Sequence, residues 1–81
     1  MDNRDTTRID FDEMITMLSA NGRLQIAREI GEFVVGYEYE RSGAKYEERM
    51  PAIVDLGTPA KGPFLAIMKV YASWMIDVAS E

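Results

Sequence analysis

The chain has 81 residues, 14 acidic against 9 basic side chains, a formal net charge of −5, 47% hydrophobic residues, and neither Cys nor His. Those figures exclude nucleophile relays built on a thiol or an imidazole, together with zinc, haem and iron–sulfur ligation in their usual forms. The acidic balance weighs against direct nucleic-acid or anionic-membrane binding, which needs Lys and Arg clustered near phosphates, and favours a basic protein partner.

A chain of this size hides only about 60 to 65% of its extended surface on folding. Disulfides and metals are the usual supplements, and without Cys or His the expectation turns to self-association, such as a homodimer, or to partner binding. Met1 to Arg8 carry no apolar signal region, and no stretch reaches the 18 or so apolar residues of a membrane span. A cytoplasmic protein with no cofactor and no metal is the expectation. Residues 1–9 read as a mobile polar arm, and residues 10–81 as a single helical domain.

Asp10-Phe11-Asp12-Glu13 marks a helix start. Asp10 is the N-cap, Glu13 stands three residues on as its reciprocal partner, and Ile9 with Met14 forms a hydrophobic staple. Phe11, Met14, Ile15 and Leu18 share a face, and Asn21-Gly22 ends the helix by left-handed C-terminal chemistry. From Arg23 to about Arg41, Ile26, Ala27, Ile30, Phe33, Val34 and Tyr37 fall within a third of a helical circumference, which predicts a second helix. Phe33, Val35, Tyr37 and Tyr39 also alternate, however. The competing reading is a strand that turns at Ser42-Gly43 into Lys45 to Met50. Tyr46, Met50 and Ile53 suggest a short third segment that Pro51 begins or breaks. Leu56 to Gly62 is a loop, and Pro63 opens an unusually apolar last helix to about Ala79. The fold expected is therefore all-α, a small bundle of three long helices plus one short segment. The alternative is α+β, with a hairpin across residues 33–53.

Catalytic candidates are few. Asp10, Asp12 and Glu13 match no calcium loop and are explained by the helix start. Glu47-Glu48 and Glu38 with Glu40 are carboxylate pairs with nothing nearby to shift a pKa, and they read as solvated faces. An acyl carrier protein has this size and charge, but Val54-Asp55-Leu56-Gly57 lacks the Ser that would carry the prosthetic group. Lys61 in the loop before the last helix lacks the preceding strand and residue order of a phosphate-binding loop.

Gln25-Ile26-Ala27-Arg28-Glu29-Ile30-Gly31 resembles the first helix and turn of a helix-turn-helix, with Ala27 and Gly31 four apart, over about 20 residues. The resemblance implies a DNA-binding regulator. Its would-be reading helix, Val34 to Arg41, presents Glu38 and Glu40 against Arg41 alone, which repels phosphate. As a helix, the same segment places Leu24, Gly31, Val35 and Tyr39 in a second row, with Val35 and Tyr39 as apolar and aromatic anchors. Gln25, Glu29, Glu32, Gly36 and Glu40 lie between the rows as an acidic strip.

The expectation is a non-catalytic protein-interaction module, an adaptor or inhibitor that occludes the basic, nucleic-acid-binding surface of a partner through Glu29, Glu32, Val35, Tyr39 and Glu40. In size, charge and missing catalytic residues it is similar to the small acidic phage proteins that disable bacterial defence, anti-CRISPR proteins among them. A helix-turn-helix regulator and a structural subunit of a homo-oligomer are the rival readings.

Overall fold

The computed structural model describes residues 10–81. The elements in chain order are α1 (Phe11–Asn21), β1 (Gly22–Glu29), β2 (Glu32–Tyr39), β3 (Lys45–Pro51), β4 (Ile53–Asp55), β5 (Thr58–Pro59) and α2 (Phe64–Ala79). The fold is α+β and overturns the all-α bundle. The first and last helices stand where the sequence puts them, but the long second helix is replaced by two strands and the short third segment by another. Residues 1–9, including the expected arm and the Ile9 half of the staple, lie outside the described residues.

β1, β2 and β3 form one antiparallel sheet in that order, and β4 with β5 forms a separate two-stranded ribbon. Alternation in β2 decides which way the sheet faces. Val35, Tyr37 and Tyr39 point to one side and are buried, whereas Glu32, Val34, Gly36 and Glu38 point to the other, where only Val34 is buried. The strand alternative for Phe33 to Tyr39 and Lys45 to Met50 therefore matches β2 and β3. What neither reading contained is β1, which pairs with β2 from Gly22↔Tyr39 to Glu29↔Glu32 without interruption.

A two-residue turn, Ile30-Gly31, joins β1 to β2, and Gly31, at its second position, takes a positive φ of 77° that glycine adopts without strain. The helical stripe runs through Ile30 and Gly31 and so conceals the turn that they form. The helix-turn-helix resemblance fails for the same reason: Gln25 to Glu29 is strand and Ile30-Gly31 is the hairpin turn.

Both helices lie on the side of the sheet to which Val35, Tyr37 and Tyr39 point. α2 buries Ala66, Ile67, Val70 and Trp74 and α1 buries Leu18, and together with the three strand residues these form the core. Burying each Val, Leu or Ile side chain contributes roughly 1.5–3 kcal/mol. The Trp74 ring meets Tyr37, Tyr39 and Tyr71 at centroid distances of 5.7, 5.5 and 5.9 Å. Phe11 and Phe64 pack edge to face at 5.0 Å where the two helices begin.

Asp10 occupies the N-cap position, but its carboxylate makes no capping hydrogen bond. Its carbonyl accepts from Met14, and Asp12 and Glu13 complement the positive end of the helix. Nor does the helix end in a left-handed residue. Gly22 is extended, at φ −179°, because the chain passes straight into β1. A Cβ at Gly22 would collide with the Glu38 carbonyl oxygen and lie 2.8 Å from the Tyr37 hydroxyl. That hydroxyl donates to the Leu18 carbonyl at 2.6 Å, tying β2 to α1. Burial, with Tyr39 and Glu40 nearby, pushes the Tyr37 pKa up.

Candidate surface on the open face of the sheet

With both helices on one side, the other side of the sheet is left open by the described residues. Cross-strand register lays its side chains out in four rows: Arg23, Glu38 and Lys45; Gln25, Gly36 and Glu47; Ala27, Val34 and Arg49; Glu29, Glu32 and Pro51. Charges alternate across the first row. The last three rows are tied together by Arg49, whose guanidinium donates to Glu32 at 2.7 Å, Glu47 at 2.9 Å and Glu29 at 3.1 Å. These three carboxylates, Glu32 foremost, raise the Arg49 pKa further, so it stays charged at every accessible pH. Three carboxylates about one guanidinium leave this corner of the face with surplus negative charge.

Gly36 lies at the centre of the middle strand. A glycine in a strand interior costs about 0.5–1 kcal/mol relative to Ala, and it usually marks a bulge, a bend or a close approach of another group. No bulge is present, since pairing runs continuously on both sides of Gly36. Its φ is not positive, and a Cβ there would find nothing nearer than the Tyr46 carbonyl oxygen at 3.9 Å. The described residues give no internal reason for the missing side chain. Its absence leaves a shallow depression of about 290 Å³, lined among others by Arg23, Gln25, Glu38, Lys45 and Glu47.

The expected site residues are placed unequally. Glu29 and Glu32 face each other beside the β1–β2 turn and share Arg49. Glu40 is exposed in the β2–β3 turn, eight residues along the chain from Glu32, or about 26 Å at strand rise. The three do not form one strip. Val35 is fully buried and Tyr39 is 5% exposed, so neither is an anchor for a partner; both belong to the core under the helices. Glu38, Glu47 and Gly36 complete the open face. Gly36 was placed between the rows of a helix, and only the hairpin register shows what surrounds it.

Elsewhere the Tyr46 hydroxyl donates to Asp77 at 2.6 Å, joining β3 to α2. Desolvation, and then the hydrogen bond to Asp77, push its pKa up to about 12. A second exposed surface is apolar: Ile53, Val54 and Leu56 of the β4–β5 ribbon, with Leu56 at φ 38° and fully exposed. Among the described residues no cluster of three or more acidic side chains is arranged to hold a metal ion, and no helix is long and apolar enough to cross a membrane. No known family, no curated protein and no solved structure matches the chain.

Proposed function

We propose that the chain is a non-catalytic, cytoplasmic protein-interaction module that binds a basic partner through the open face of its sheet, and so occludes that partner's nucleic-acid-binding surface. The observation that carries this reading is Gly36. A side chain is omitted from the middle of the central strand at a cost in stability, at a point where the protein's own packing does not require it. A flat group laid on the Gly36 backbone, such as a guanidinium, would have Glu47 directly across and Glu38 two residues along the strand to accept its hydrogen bonds. The net charge of −5 would speed the encounter with a basic surface.

Replacing Glu29, Glu32 and Glu47 together by Gln keeps their shape and removes the surplus charge. Immobilised wild-type protein should retain a basic protein from nuclease-treated bacterial lysate, and this triple variant should release it at lower salt with its helical content unchanged. Retention by the triple variant equal to wild type at every salt concentration would contradict the reading.

A further inference from the structure

β1 is an edge strand of eight residues, and among the described residues one side of it is unpaired. The β3 edge carries the usual protections: Lys45, Glu47 and Arg49 on one side, Glu48 directed towards the helices beside Val35, and Pro51 at its end. β1 has no proline, no bulge and no charge in its centre, which reads Leu24-Gln25-Ile26-Ala27. α1 covers only its beginning. From Gln25 to Glu29 every residue is exposed, and Ile26, on the helix side of the sheet, is 51% exposed.

The backbone of β1 has a definite polarity. The Glu40 amide donates to Asn21 at 3.0 Å, and the two-residue turn closes on the pair Glu29–Glu32. Odd-numbered residues of β1 therefore bond to β2, and the amides and carbonyls of Leu24, Ile26 and Arg28 face outward.

We infer that a second copy of this chain pairs with β1, antiparallel, about a two-fold axis normal to the sheet through Ile26. Such an axis keeps the helices of both copies on one side, so it pairs even residues with even ones. Centred on Ile26, it sets Ile26 against Ile26, and Leu24 against Arg28 in both directions. All the outward backbone groups of the strand centre then bond across the interface. The same register sets Arg23 directly opposite Glu29 twice, on the open face. Shifting the centre to Gln25 or Ala27 loses both ion pairs and faces Arg23 with Ala27, or Glu29 with Gln25. The strand is thus complementary to itself in charge in the one register that also centres its exposed isoleucine. The product is a continuous six-stranded sheet with two Gly36 depressions on one side, and it buries an edge that the monomer leaves exposed.

The chain has no cysteine, which makes a direct test available. Ile26→Cys would place two thiols on Cα atoms about 5.5 Å apart, within disulfide range, whereas Arg28→Cys would leave them about 14 Å apart. Oxidation should convert the first variant, and not the second, into a covalent dimer. Sedimentation should show the wild type as a dimer that Ile26→Lys dissociates without loss of helical content. A wild type that stays monomeric at millimolar concentration, or a cross-link formed by Arg28→Cys in preference to Ile26→Cys, would overturn the inference. Neither result depends on whether a basic partner is found.

Discussion

Three single residues report on whether local packing has been understood. Trp74 is 2% exposed and its indole N–H has no acceptor among the described residues. Leaving a buried donor unpaired costs about 1–3 kcal/mol, so Trp74→Phe, which removes the donor and keeps an aromatic ring, should change stability by no more than about 1 kcal/mol. Trp74→Ala should cost about 3–5 kcal/mol, and urea denaturation followed by circular dichroism separates the two. Gly22→Ala forces a methyl against the Glu38 carbonyl and the Tyr37 hydroxyl, and should lower the urea midpoint by more than Gly31→Ala, whose Cβ meets no neighbour within 4 Å and which carries only the strain, roughly 1 kcal/mol, of an alanine at positive φ. Burial of Tyr46, and then its bond to Asp77, set a pH dependence. Because the folded pKa, about 12, lies above the unfolded value of 10, the stabilisation is complete below pH 10 and is lost as pH rises from 10 through 12. Tyr46→Phe should be less stable than wild type at pH 7 and should lose less stability between pH 9 and 11.

At the scale of elements, α1 and α2 were legible because their signals are local. An acidic first turn precedes an apolar face in one, and a proline followed by a long apolar run opens the other. β2 and β3 were legible as the alternative, from the alternation of Phe33, Val35, Tyr37 and Tyr39. β1 was hidden because Ile26, Ala27, Ile30, Phe33 and Val34 happen to satisfy a helical period across a turn. In a half-covered edge strand the alternation itself is weak, since Ile26 and Arg28 share a face. Gly31 and Gly36 carried the information that a helix was wrong. The candidate surface was less legible still: Glu29 and Glu32 were singled out, but their neighbours Glu47 and Arg49 are brought in by strand register alone. Ile30 tests this scale. A helical stripe would bury it, and Ile30→Asn would then cost about 2–5 kcal/mol. In the hairpin it is fully exposed at a turn, so the same substitution should leave the urea midpoint unchanged or raise it.

At the scale of the molecule, the described residues form a two-layer slab, 40 × 38 × 18 Å, with both helices on one side of the sheet. Among the described residues the open face, the β1 edge and the apolar ribbon are exposed, and the open face carries at Gly36 a cost in stability that internal packing does not require. Gly36→Thr tests that claim most directly. A β-branched residue in an uncrowded central-strand position should stabilise the fold by about 0.5–1 kcal/mol while filling the depression. Gly36→Thr should raise the melting temperature and lose the partner that wild-type protein retains from lysate. A stabilised Gly36→Thr variant that holds the same partner equally well would contradict it.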